Sequence, residues 1–200
     1  MHRIRRRRNL PHIESDGAIY FVTFRLADSL PQSALHRIRQ GFQRSQRIAT
    51  SLEPHLSPRV EKYLDSGAGS CSLSQPRIAK LVADAIAAFA GTRYLIFAWC
   101  IMPNHVHAVI QPHGEWTLAR ILHSWKSYTS SAANRILNRS GEFWQRESYD
   151  HLVRDADDLS RLVRYVLENP GRAGLQNWPW VGANPIVAPA FVALASSRRF

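Results

Sequence analysis

The order of apolar and polar positions along the chain predicts most of its elements. Ile19 to Leu26, directly after the turn-forming Asp16-Gly17, is rich in aromatic and β-branched residues and predicts a strand. After Leu30-Pro31-Gln32-Ser33, the residues Leu35, Ile38 and Phe42 recur at helical spacing, with Arg37, Arg39, Arg44 and Arg47 around the other faces. That pattern predicts a basic amphipathic helix, broken by Pro54 and Pro58. Small residues from Ser66 to Ser70 predict a loop, and Ser74-Gln75-Pro76 opens a second helix that runs through Phe89 and ends at Gly91.

The nearly continuous apolar run YLIFAWCI, 94–101, predicts a strand buried on both faces. Met102-Pro103 turns the chain into NHVHAVI, 104–110, whose alternation puts His105, His107 and Val109 on one face and Val106, Ala108 and Ile110 on the other. A hairpin is the simplest connection between the two. From Thr117 to Leu137 the positions of Leu118, Ile121, Leu122, Trp125, Ala132 and Ile136 fit a long helix closed by Gly141. FWQRESYDHLVR, 143–154, predicts an aromatic loop entering a short strand, and Asp157 to Glu168 an amphipathic helix stopped by Asn169-Pro170-Gly171. From Trp178 onward the chain is apolar and proline-punctuated, with little pattern. The order strand, helix, helix, strand, strand, helix, strand, helix predicts an α+β fold, an antiparallel or mixed sheet covered on one side by helices, with the first strand and two helices suiting a split βαβ unit.

Composition narrows the class. At 200 residues the chain is long enough for a sizeable core, and no apolar run approaches the roughly 18 residues that span a bilayer. The basic N-terminus lacks an apolar stretch and a cleavage site behind it, so a cytoplasmic protein is expected, with no membrane partner. Cys71 and Cys100 are far apart and in no metal-binding spacing, and free thiols are expected. Charge changes the picture more: 26 basic against 15 acidic residues gives a net +11, an excess that attracts a polyanion. The densest cluster, Arg5, Arg6, Arg7 and Arg8 with Arg3, suits phosphate contact, although a short basic end is also compatible with a solvated tag.

Two groups could do chemistry. Histidines at i and i+2 of a strand lie about 6.6 Å apart at Cα and point the same way, so the imidazoles of His105 and His107 can reach one divalent ion. The bland alternative is a polar strand face, and no third ligand stands out in the adjacent strand. Tyr128 falls at the border between the buried and wet faces of its helix, beside Ser124, Ser131 and Arg135. It is either an amphipathic side chain with a wet hydroxyl or a phenolic nucleophile among cations. Basic protein, imidazole pair and tyrosine together are the parts of metal-assisted attack on a phosphodiester.

The segments MPNHVHAVI (102–110), ILHSWKSYTSSAANRI (121–136), FWQRESYDH (143–151) and YVLENPGRAGL (165–175), with FVTFRL (21–26) and KYLDSGAGSC (62–71), resemble the REP-associated tyrosine transposases. These are a domesticated branch of the single-tyrosine HUH transposases. The resemblance covers roughly residues 19–175, leaving 1–18 as a basic arm and 176–200 as a tail. It implies a ferredoxin-like sheet, metal ligation of Mg²⁺ or Mn²⁺ by His105 and His107, and the nucleophile role for Tyr128. Insertion-sequence relatives place a glutamine four residues after the tyrosine to complete the metal shell, and this chain has Ala132 there. Asn134, Gln145 and Glu147 remain open as third ligands.

The function so implied is cleavage and rejoining of single-stranded or hairpin DNA of the repetitive extragenic palindrome type through a phosphotyrosine intermediate. The protein would act as monomer or homodimer in a bacterial cytoplasm, nucleoid-associated when bound. Arg5, Arg6, Arg7, Arg8, Lys126 and Arg135 would contact DNA. The alternatives are a hairpin DNA or RNA binder without cleavage, and a metal-dependent hydrolase that uses water.

Overall fold

The computed structural model describes residues 17–30, 64 and 66–184, together with the backbone of residues 3–7 and 10–14. Strand β1 (Arg3–Arg7) and strand β2 (Leu10–Glu14) pair antiparallel as a separate two-stranded ribbon. The remaining strands are β3 (Tyr20–Arg25), β4 (Tyr94–Ile101), β5 (His105–Pro112), β6 (Tyr149–Leu152) and β7 (Val181–Ala183). They form one sheet in the order β6-β3-β5-β4-β7, antiparallel at every pairing. Helix α1 (Pro76–Ala87) precedes β4, α2 (Leu118–Ile136) follows β5, and α3 (Ala156–Arg172) follows β6. The fold is α+β, as the element order predicts.

The pleat of the sheet divides the core in two. Tyr20, Val22 and Phe24 of β3, with Val106, Ala108 and Ile110 of β5, bury against α1 and α2 through Ile78, Val82, Ile86, Ile121, Leu122 and Trp125. Phe21 and Val109 face the other way, with Ala98 and Cys100, and bury against Leu162, Val163 and Val166 of α3. The expectation of helices on one side is therefore corrected: α1 and α2 cover one face and α3 the other. Alternation shows which residues share a face, but it carries nothing about which helix lands there.

Three further differences have local causes. Residues beyond the expected domain end at 175 contribute β7, which caps the β4 edge; Ile101 N–H donates to the Trp180 carbonyl (2.8 Å) and the Trp178 indole to the Ile101 carbonyl (2.7 Å). Helix α3 continues through Asn169-Pro170 to Arg172 instead of stopping there. Proline forfeits one intrahelical bond, but its fixed φ suits the last turn, and the Ala173 and Leu175 amides close that turn on the Asn169 and Pro170 carbonyls. Leu95 of β4 is exposed, so that strand is not buried on both faces along its whole length. The basic helix expected after Leu30 lies outside the described residues.

The turn after β3 meets the loop before α1 closely. Gly69 has φ +89° and a Cβ there would stand 2.7 Å from the Asp28 carbonyl oxygen, so only glycine fits, while the Ser70 amide donates to the Asp28 carboxylate at 2.9 Å. This contact docks residues 66–70 against the turn after β3. Cys71 and Cys100 are both free thiols. Among the described residues, no helix is long and apolar enough to cross a membrane.

Candidate active site

Strand β5 lies at the centre of the sheet, and its partners shape the surroundings of the histidines. Arg25 of β3 is directly opposite His105, Thr23 is opposite His107 on the same side, and Cys100 of β4 flanks His107 on the other. Both imidazoles are buried, each only 1% exposed, on the face that α3 covers. Their Nε2 atoms converge to 3.0 Å. The outer nitrogens are also held: Asn104 Oδ1 lies 2.7 Å from His105 Nδ1, and Thr23 Oγ1 lies 2.7 Å from His107 Nδ1. Phe21 stacks on the His107 ring with centroids 5.4 Å apart.

Electrostatics keep the pair neutral. Burial pushes His107 down to about 3. His105 is held well below the ordinary histidine range, chiefly by burial and then by the charges of His107 and Arg25. Neutral imidazoles with converging nitrogens are the form that ligates a metal ion. Two ligand atoms about 2.1 Å from an ion and at right angles stand about 3.0 Å apart, so the observed separation fits a shared octahedral ion.

Tyr128 is not part of this cluster. It lies on α2, across the sheet from the histidines, and points outward with 60% of its surface exposed. The expectation that Tyr128 joins His105 and His107 in one site is therefore corrected within this chain. The α2 stripe of Leu118, Ile121, Leu122, Trp125, Thr129 and Ala133 is what packs on the sheet, leaving Tyr128 on the wet side. Ala132 and Asn134 share that helix; Asn134 donates to the Gly141 carbonyl at 2.8 Å, and its Oδ1 has no hydrogen-bond partner among the described residues.

Among the described residues, Tyr165 of α3 makes a ring contact with the pair. Its ring meets His107 edge-on, with centroids 5.4 Å apart and planes at 72°, and it meets Phe21 at 5.8 Å. Four residues on, about 40° around the helix, is Asn169. Asn169 is buried, and its Oδ1 has no hydrogen-bond partner among the described residues. A buried carbonyl-type oxygen without a donor calls for an explanation, and a cation is one. No third histidine, cysteine, aspartate or glutamate joins the pair among the described residues. Two signals in the sequence pointed here: a tyrosine and an amide one helical turn apart, in the segment YVLENPGRAGL that itself carries the resemblance.

The expected DNA contacts fare differently. Lys126 is spent inside the protein. Its ammonium donates to the carbonyls of Gln145 (2.6 Å) and Arg146 (2.8 Å) and to the Ser148 hydroxyl (3.2 Å), fastening the loop before β6. Burial, then the charge of Arg25, pushes it down to about 8 against the opposing pull of Glu147. Its ammonium is thus engaged within the chain. The Gln145 backbone N–H donates to the Arg25 carbonyl (2.9 Å) at the end of β3. Arg135 is exposed on α2, in a shallow polar cleft with Asn134, Asn138, Arg139 and Ser140. Arg5, Arg6 and Arg7 belong to β1, and Arg8 lies outside the described residues.

A second buried charge joins β6 to α3. Asp158 accepts from His151 Nε2 (3.2 Å), from the Arg154 amide (3.2 Å) and side chain (3.4 Å), and from Arg161. Burial opposes its charge, but these bonds outweigh it and hold the carboxyl well below the usual carboxylate range.

Comparison with known proteins bears on the family and the fold. Residues 75–169 match the family model described as "Transposase IS200 like", a stretch that runs from α1 to Asn169. A protein of Haemophilus influenzae (strain ATCC 51907 / DSM 11121 / KW20 / Rd), provisionally named a REP-associated tyrosine transposase, is 31% identical over 97 residues, which are 42% of this chain and 55% of that relative. The chain thus matches little more than half the length of that relative. A solved REP-associated tyrosine transposase bound to a REP hairpin superposes with TM-score 0.50 over 88% of this chain and 80% of the other, at 16% identity. The buried histidine pair and the Tyr165 helix thus lie in a segment that matches the IS200-like transposases, within a chain that has the fold of a REP-associated tyrosine transposase.

Proposed function

We propose that this protein cleaves and rejoins single-stranded or hairpin DNA with Tyr165 as nucleophile, and that His105, His107 and the Asn169 side-chain oxygen hold Mg²⁺ or Mn²⁺. The observation that carries the reading is the edge-on contact of the Tyr165 ring with His107 on the face where both imidazoles are buried and neutral. Asn169, four residues after Tyr165, supplies an amide where insertion-sequence relatives place glutamine. The absence of one after Tyr128 then has a simple reason, since that helix faces away.

The bound ion would withdraw charge from a nonbridging oxygen of the scissile phosphate. The protein does the rest. Tyr165 is held on a helix whose apolar side is locked into the sheet, so its hydroxyl is positioned without a loop to order. Attack forms a bond between the phenolic oxygen and phosphorus while the bond to the 3′ oxygen breaks. The phenol proton passes to solvent and a free 3′ hydroxyl leaves. The new phosphotyrosine ester conserves the energy of the broken one, so attack by a 3′ hydroxyl rejoins a strand without a nucleotide cofactor. Arginines of a chain with net +11 would hold the backbone.

The test is incubation with end-labelled single-stranded hairpin DNA and Mn²⁺, followed by a denaturing gel. Label on the 3′ side of the cut should travel with the protein, and chelation or the His105→Ala/His107→Ala double variant should abolish the transfer while DNA binding persists. Release of both ends without an adduct would make the protein a water-using hydrolase. Binding without any cut would make it a hairpin-binding module.

A further inference from the structure

The two histidines are supported asymmetrically. Asn104 is fully buried, and its Nδ2 donates to the carbonyls of Leu64 (3.0 Å) and Ala68 (2.9 Å). Those two acceptors settle the orientation of the amide: a flipped Asn104 would set its oxygen against two carbonyl oxygens. Oδ1 is therefore the atom facing His105 Nδ1 at 2.7 Å, and it can only accept. His105 must carry its proton on Nδ1, leaving Nε2 with a bare lone pair. The partner of His107 Nδ1 is instead the Thr23 hydroxyl at 2.7 Å, which either donates or accepts.

We propose that Asn104 is a positioning residue that locks His105 as the Nδ1–H tautomer, with Nε2 permanently presented, while Thr23 leaves His107 free to change tautomer. The inference rests on the ligand role proposed above for the pair. Without an ion, every bond closes in one direction: Thr23 donates to His107 Nδ1, His107 Nε2–H donates to His105 Nε2 across 3.0 Å, and His105 Nδ1–H donates to Asn104. To ligate, His107 gives up the Nε2 proton and takes one at Nδ1, staying neutral, and the Thr23 hydroxyl turns to accept it. His105 changes nothing. Asn104 also ties this ligand to Leu64 and to residues 66–70, which Gly69 and Ser70 dock against Asp28. A carboxylate in its place would keep the acceptor and lose both donors. Supporting partners of this kind are worth about 10- to 100-fold in metal affinity.

The decisive readout is the long-range ¹H–¹⁵N spectrum of the metal-free wild-type protein with labelled histidine, which reports tautomers directly and needs no activity. His105 should show a protonated Nδ1 and a bare Nε2, and His107 the reverse. A His105 ring protonated at Nε2 overturns the proposal, whatever the protein does to DNA. Asn104→Leu should move the His105 proton to Nε2 and weaken Mn²⁺ binding, measured with the metal alone, by about 10- to 100-fold. Asn104→Asp should preserve the Nδ1–H tautomer, and a tautomer change there, or unchanged Mn²⁺ affinity in a folded Leu variant, also contradicts the assignment. If the variants do not fold, the wild-type spectrum still decides. Loss of cleavage with the expected tautomers intact would count against the nucleophile assignment and leave the role of Asn104 standing.

Discussion

His105 and His107 are neutral because burial leaves no water to solvate their charge, and that has a consequence for stability as well as for ligation. An unfolded chain protonates its histidines near 6.5, whereas His107 in the folded protein resists down to about 3 and His105 is also well below its ordinary value. As pH falls, the unfolded state therefore binds more protons. The contribution is complete above about 6.5, and each histidine gives up about 1.4 kcal/mol per pH unit below it, for His107 over the window down to about 3. Melting temperatures measured from pH 7.5 to 4.5 should fall steeply below 6.5 in wild type and less steeply in His105→Gln/His107→Gln. Parallel curves for the two proteins would contradict the buried neutral pair. At this scale the pairing of the two imidazoles was legible, because period-two alternation puts i and i+2 on one face. The place of Tyr128 was not legible, because a helical wheel separates buried from wet sides of a helix without saying which face of the sheet the helix covers. The contact of Tyr165 with His107 is hidden for the same reason: nothing in Asp157 to Glu168 says that its apolar side meets Phe21 and Val109 rather than Val22 and Ala108.

Among the elements, α3 matters most, since it carries both Tyr165 and Asn169. Its first turn is moored by Asp158, whose carboxylate gathers His151 of β6, Arg154 and Arg161. Asp158→Ala should cost about 1–3 kcal/mol in urea unfolding, toward the lower end because Arg154 and Arg161 are about half exposed and can turn to water. An unchanged midpoint would show that the carboxylate is incidental to docking. The held-down carboxyl acts in the same sense as the histidines: its stabilisation is present above the ordinary aspartate range and is lost as pH falls from there toward the held-down value. Most elements followed from periodicity, with the long helix expected at 117–137 found at 118–136. The short ones did not. Val181–Ala183 has only three residues and pairs because the indole of Trp178 and the carbonyl of Trp180 tie it to Ile101, contacts that no local pattern encodes. Arg3–Arg7 pairs with Leu10–Glu14 despite four arginines in five positions, a composition that reads as a solvated arm.

For the molecule as a whole, the net +11 sets the terms on which it meets DNA. Binding to single-stranded hairpin DNA should weaken with salt, the log–log slope rising in magnitude by about 0.7 for each phosphate neutralised. Arg135→Ala should lower that slope if its exposed guanidinium touches the backbone. Lys126→Met should leave it unchanged, since that ammonium is already committed to the loop at 145–148. A fall in slope for the Lys126 variant equal to that for Arg135 would contradict that commitment.

The most direct measurement is to trap the covalent protein–DNA complex with Mn²⁺, digest it with trypsin and find the peptide that carries the nucleotide. It should be residues 165–172, YVLENPGR, with Tyr165→Phe losing the complex while keeping fold and hairpin affinity, and Tyr128→Phe forming it as wild type does. Nucleotide on residues 127–135, SYTSSAANR, or an undiminished complex from Tyr165→Phe, would place the chemistry on the other face of the sheet.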